Sequence, residues 1–174
     1  MDSFIRKSFT GGSTDAIIPY GENIYCYDVN SLYPSVMCLK DFPIGNGIKF
    51  KSLNEIPEDS FWIGRVEVST KKDLHIPYLQ IHYNNRTISP NGSFEMVITS
   101  VEYLSALEDY NFKILDGYYF KKDNLFFSYV TDLYNLRLQY PKSDPMNLIA
   151  KLLMNSLYGR FGMKNEVNKS SFVC

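Results

Sequence analysis

Cysteine is scarce and poorly spaced for pairing. Cys26, Cys38 and Cys174 are an odd number with no C-x-x-C spacing, which points away from both a disulfide framework and a cysteine zinc site and makes a reducing compartment the default expectation. His75 and His82 have no Cys or His companions at ligand spacing and read as structural or surface residues. No sign of charge dominates: 18 Lys/Arg stand against 19 Asp/Glu, a net of -1, so a polyanion would have to be held by local patches rather than by the field of the whole molecule. Long apolar runs are missing too; none approaches the ~20 residues of a membrane span. The N-terminus has neither a signal-peptide pattern nor an Arg-rich presequence. The expectation is a chain with no membrane partner that works where it is made.

What is present is enough apolar surface for a packed core: 45% of the 174 residues are hydrophobic, and 14 Tyr and 12 Phe accompany a single Trp. Charge is unevenly spread. Residues 1–45 hold three Lys/Arg and five Asp/Glu, residues 46–123 hold nine and eleven, and residues 124–174 hold six and three, so only the last segment is basic.

Residues 24–29, IYCYDV, are β-branched and aromatic, and predict a short buried strand with Asp28 at its end. Pro34 suits the start of a helix, so PSVMCLK predicts a helical turn that Pro43 and residues 45–47 end. From about 46 to 123 the pattern changes to strand-like pieces, FWIGRVEVS, HIPYLQIHY and FEMVIT, followed by the helical VEYLSALEDY, as in an inserted α+β subdomain. Residues 125–138 have helical spacing, YPKSDP breaks the chain, and Asp144 then caps a second helix with Pro145 at its first position, running to about Tyr158.

On that second helix Lys151, Asn155 and Tyr158 fall within 60° of one another, while Ile149, Leu153 and Leu157 centre on the opposite side, where a core would lie. A cation, an amide and an aromatic ring on one stripe can contact the phosphate, polar edge and plane of a nucleotide. A solvated face of mixed residues is the plainer account of the same stripe. Gly159 removes a side chain just beyond Tyr158, so a base pair or backbone could approach closely.

The strings DVNSLYPSVM and KLLMNSLYG resemble motifs A and B of family B DNA polymerases, and their wording is most similar to the protein-primed branch of small bacteriophages and of linear plasmids in fungal and plant mitochondria. SFTGG at residues 8–12 resembles that branch's YxGG motif, with Phe9 in place of Tyr. The order of the three strings matches the branch from end to end of the chain. The resemblance implies an α+β fold: a partial polymerase palm over 1–45 with SFTGG and motif A, a terminal-protein-region-like insert over 46–123, a helical fingers segment over 124–163 with motif B, and the start of the remaining palm over 164–174.

It also implies roles. Phosphoryl transfer with two Mg²⁺ ions needs carboxylates that hold the ions about 3.5 to 4 Å apart. Asp28 would supply one, with the Val29 backbone carbonyl as a further oxygen ligand. The turn at Ser31, Leu32 and Tyr33 would aim N–H groups at the incoming deoxynucleoside triphosphate, and Tyr33 would lie under the sugar and exclude a 2′-hydroxyl. Lys151 would bind the triphosphate, and Asn155 and Tyr158 would line the pocket of the nascent base pair, with Gly159 beside the DNA. Arg137 stands where many members carry a basic nucleotide-binding residue; Lys142 is an alternative, and a solvated surface cation is the plainer account of either. Phe9, Gly11 and Gly12 would sit near the template strand, although a Gly-Gly turn explains them nearly as well. The implied partners are primer-template DNA, deoxynucleotides and a terminal protein as primer, in a mitochondrion or otherwise inside a cell.

The branch's second metal carboxylate lies in a YxDTD motif after motif B, and no such string occurs here; TD occurs at 14–15 and 131–132 without the pattern. The exonuclease acidic motifs are absent as well. With one of the two carboxylates, the polypeptide alone is expected to have little or no polymerase activity. Two other readings are a non-catalytic module that grips DNA or terminal protein, and an unrelated α+β interaction domain.

Overall fold

In the computed structural model, residues 1–12, 18–84, 86–161 and 163 are described. The chain divides into two compact units, one of Met1–Ile24 with Phe42–Asp123 and the other of Tyr25–Asp41 with Asn124–Cys174.

The first unit is built on a four-stranded antiparallel sheet in the order β1-β6-β2-β5, with β1 Phe42–Phe50, β2 Phe61–Thr70, β5 Ser93–Thr99 and β6 Tyr110–Asp123. A small hairpin pairs β3 Ile81–Tyr83 with β4 Arg86–Ile88, where the His82 Nδ1 lies 3.2 Å from the Thr87 hydroxyl. Helix α3, Ser100–Ala106, starts in a capping box: Thr99 accepts from the Glu102 N–H while Glu102 accepts from the Thr99 N–H. Alternate residues of the strands, Trp62, Val66, Val68 and Ile98, meet Phe50, Ala106 and Tyr110 in one buried cluster. At the crossing of Gly64 and Gly117 the bare backbone makes room for the Phe50 ring; a Cβ on Gly117 would stand 2.5 Å from the Ile63 carbonyl oxygen.

The second unit is helical: α2 Leu32–Leu39, α4 Phe127–Leu138 and α5 Pro145–Phe161. Among its described residues the buried side chains are Pro34, Met37, Val130, Asn147, Ala150 and Met154. The Asn124 side chain donates to the Cys38 carbonyl at 2.9 Å and accepts from the Phe127 N–H at 3.1 Å, tying α2 to the first turn of α4. Asp144 accepts from the Met146 N–H at 2.8 Å, with Pro145 opening α5 as its spacing predicts. No helix among the described residues is long and apolar enough to cross a membrane.

Several expectations are corrected. Residues 24–29 form no strand and are exposed throughout, because no described segment pairs with them and a β-strand is stable only when its backbone groups find a neighbour. Residues 42–50, expected to break the chain, form β1. Its Pro and Gly are tolerated because it is an edge strand, with a register shift between Ile44 and Ile48 and Gly45 at φ +74°. Of residues 75–83 only the last three form a strand. The helix expected through 110 ends at Ala106, and Tyr110 instead begins β6, its ring 1% exposed in the core. On α5 the buried stripe is Asn147, Ala150 and Met154, while Ile149 and Leu153 are 46% and 45% exposed. Residues 164–174 lie outside the described residues.

Candidate functional site

The two long motifs meet within the helical unit. The Tyr33 ring, on the first turn of α2, stacks on the Tyr158 ring of α5 with centroids 4.2 Å apart and planes 11° from parallel. Both rings keep an exposed side, Tyr33 at 54% and Tyr158 at 41%. On α5, Lys151 is exposed and Asn155 half-buried on the same stripe as Tyr158. Two helical turns, about 10.5 Å, separate Lys151 from Tyr158.

At the other end of this surface the chain turns into α2 through Ser31, which has left-handed backbone at φ 52°. A serine at positive φ is uncommon and costs energy that the surrounding structure must offset. Its side chain makes no capping bond. The first intrahelical bond is that of Ser35 N–H to the Ser31 carbonyl at 2.9 Å. The N–H groups of Leu32 and Tyr33 therefore have no acceptor among the described residues, and Pro34 has none to offer. Two free donors at the positive end of a helix favour an anion.

Asp28 and Val29 lie in the exposed, unpaired stretch that leads into this turn. Among the described residues no group of three or more His, Cys, Asp or Glu side chains comes together to hold a cation. One carboxylate with a backbone carbonyl does not fit a two-cation site, which needs anionic ligands on both ions.

Arg137 is occupied: its Nε donates to the Asn147 side-chain oxygen at 3.3 Å. Asn147 in turn donates to the Arg137 carbonyl at 3.0 Å and to the Tyr140 carbonyl at 2.9 Å. This buried amide, 8% exposed, satisfies one carbonyl of the last turn of α4 and one of the loop that follows it, and fixes α5 one turn before Lys151. Sequence reasoning missed it, since an Asn at the third position of a helix has no distinctive spacing. Lys142 is exposed in the loop between the helices. A Cβ on Gly159 would meet nothing within 4 Å, so the α5 backbone there is open to approach. Phe9, Gly11 and Gly12 belong to the other unit; Phe9 is 64% exposed and both glycines have open space around them.

The chain belongs to the type B DNA polymerases of organelles and viruses, the family whose model matches residues 1–174. It is 40% identical over 165 residues to a probable DNA polymerase of Ascobolus immersus, covering 91% of this chain and 14% of that protein. It is 31% identical over 185 residues to the DNA polymerase of Bacillus phage Nf, covering 96% and 32%. In structure it is similar to Phi29 DNA polymerase complexed with primer-template DNA, with a TM-score of 0.66 and 28% identity over 79% of this chain and 25% of that one. The α+β architecture with its antiparallel sheet is thus that of a segment of such an enzyme, and the chain spans a third or less of the relatives it matches.

Proposed function

We propose that this chain is the nucleotide-binding segment of a protein-primed, DNA-directed DNA polymerase, and that its helical unit holds the incoming deoxynucleoside triphosphate against primer-template DNA. The observation that supports this reading is the Tyr33–Tyr158 stack, which joins the ends of two motifs that 125 positions of sequence keep apart. The free N–H groups of Leu32 and Tyr33 and the ammonium of Lys151 take the triphosphate, a compact cation and helix-end donors both being suited to phosphate. The Tyr33 ring closes the space under the sugar. Tyr158 and Asn155 meet the base pair, and the open backbone at Gly159 leaves room for it. Phe9, Gly11 and Gly12 contact the template strand. The insert over 46–123 meets the terminal protein that serves as primer.

Asp28 and Val29 offer a divalent cation one carboxylate and one carbonyl, and Mg²⁺ is the ion such oxygen ligands suit. When bound, it would neutralise charge on the phosphates. The described residues do not by themselves complete a two-ion site, so the role proposed for them is binding of nucleotide and DNA.

The test is equilibrium binding of a fluorescent deoxynucleoside triphosphate to the chain with primer-template present. Lys151→Gln is expected to weaken it about tenfold, an ion–phosphate contact being worth roughly 1.5 kcal/mol. Tyr33→Val is expected to raise ribonucleotide binding relative to deoxynucleotide. Equal binding by both variants and the parent would sink the assignment.

A further inference from the structure

The dipeptide Asn-Gly occurs twice in the sequence, at 46–47 and 91–92, and both copies lie in the sheet unit with the asparagine exposed. Such a step carries its own chemistry, because a glycine has no Cβ to hinder the approach of its backbone nitrogen to the preceding side chain. The nitrogen attacks the asparagine Cγ, a new C–N bond closes a succinimide ring, and the side-chain nitrogen leaves as ammonia with the displaced amide proton. Water then opens the ring at either carbonyl and leaves aspartate or isoaspartate. Sequence and exposure are alike at the two steps, so only their bonding can separate them.

At the second step both reacting groups are held. The Asn91 carboxamide pairs edge to edge with the Leu74 backbone, accepting from its N–H at 2.9 Å and donating to its carbonyl at 3.0 Å. The Gly92 N–H donates to the Thr70 hydroxyl at 3.0 Å, and the Gly92 carbonyl accepts from the Thr70 N–H at 3.1 Å. Ring closure would have to turn the carboxamide away from Leu74 and draw the Gly92 nitrogen away from the Thr70 hydroxyl. Three hydrogen bonds would break on the way.

Asn46 has no such restraint. It stands in the edge strand β1 where pairing with β6 is interrupted: Ile44 opposes Lys121 and Ile48 opposes Tyr119, so residues 45–47 face Phe120 alone. Its side chain has no hydrogen-bond partner among the described residues. The glycine that follows is held in place by packing, since a Cβ on Gly47 would lie 2.8 Å from the Phe120 ring. The fold therefore requires Gly47 and leaves the amide before it free to turn. We propose that Asn46 is a site of spontaneous modification, converted to aspartate and isoaspartate in the folded chain, and that the hydrogen bonds around Asn91 keep the second copy intact. Isoaspartate lengthens the backbone by one atom, in a stretch that already carries residues outside the ladder, so the paired ends of β1 keep their register. The inference goes beyond the proposed nucleotide site and stands without it, since every residue involved belongs to the other unit.

The test is peptide mapping by mass spectrometry of the 174-residue chain aged at mildly alkaline pH, in buffer and in concentrated urea. Trypsin places Asn46 in residues 41–49 and Asn91 in residues 87–113, so each conversion of an amide to an acid is read separately. In buffer Asn46 is expected to convert about a hundredfold faster than Asn91, from three hydrogen bonds at roughly fivefold each. In urea, where those bonds are gone, the two rates should be nearly equal. Asn46→Gln should remove the first signal and leave the second unchanged. Thr70→Val, which takes away the acceptor of the Gly92 N–H, should speed Asn91 about fivefold and leave Asn46 as it was. The proposal is overturned if the ratio of the two rates in buffer is no larger than in urea. It is overturned equally if Asn46 stays intact in buffer over the time that converts it in urea, or if Asn91 in Thr70→Val converts no faster than in the parent.

Discussion

Tyr33 and Tyr158 are stacked face to face at 4.2 Å although each ring remains about half exposed. Such a pair contributes to stability through its own contact and also borders the space where a sugar and base are proposed to lie. A double-mutant cycle of Tyr33→Ala and Tyr158→Ala in urea unfolding is expected to give a coupling of about 0.5 to 1 kcal/mol, the lower part of the range for aromatic pairs because water already reaches both rings. Nucleotide binding in the parent should also reduce the reactivity of both phenols toward iodination. No coupling, with unchanged reactivity, would mean that the rings merely lie near one another.

Asn147 is expected to matter more for stability than its type suggests. Asn147→Ala leaves the Arg137 and Tyr140 carbonyls and the Arg137 Nε without their buried partner, at a cost of roughly 2 to 4 kcal/mol. Asn147→Asp should cost at least as much, because a carboxylate cannot donate to either carbonyl. Chemical denaturation of both variants reads this, with Lys142→Ala as a surface substitution that leaves the midpoint unchanged.

Two glycines predict opposite outcomes. Gly117→Ala drives a methyl group to 2.5 Å from the Ile63 carbonyl oxygen and 2.6 Å from the Phe50 ring; a loss of about 2 to 3 kcal/mol is expected from overpacking. Gly159→Ala meets nothing within 4 Å inside α5 and should stabilise the helix by roughly 0.5 to 1 kcal/mol. On the proposed function it should at the same time weaken primer-template binding, so a variant that melts higher and binds as well as the parent would count against a DNA contact there.

The alkaline limb of stability should carry a contribution from Tyr78. Burial first, and then the nearby Asp109 charge and hydrogen bond, hold its phenol above the usual tyrosine value. A group whose folded value is raised keeps its full contribution below the unfolded pKa of about 10 and loses it as pH rises through the folded value. Tyr78→Phe should therefore show a shallower loss of stability above about pH 10 than the parent, measured by denaturation at a series of pH values.

Much of the helical unit could be read directly. Residues 125–138 and the Asp144–Pro145 start of the next helix have local signals, a 3.6-residue period and a cap, that need no distant partner. The strands were harder. FWIGRVEVS alternates plainly and forms β2, but β1 contains Pro43, Gly45 and Gly47, which are compatible with a strand only at a sheet edge, and edge position is not a local property. IYCYDV has strand composition and forms no strand, because composition supplies propensity while pairing supplies the hydrogen bonds. The α5 helix itself was legible, yet its buried face was not. Ala150 and Met154 are covered where α2 and α4 pack on α5, and the more apolar Ile149 and Leu153 on the other side stay about half exposed.

By itself the order of residues determined the family, through the strings DVNSLYP and KLLMNSLYG, and the polar stripe of Lys151, Asn155 and Tyr158, because identity and helical spacing are carried by neighbours along the chain. Only the tertiary structure decided that Tyr33 touches Tyr158 and that Asn147 holds Arg137. Those relations depend on where the backbone brings distant residues, and contact between residues far apart in the chain has no local cause to read.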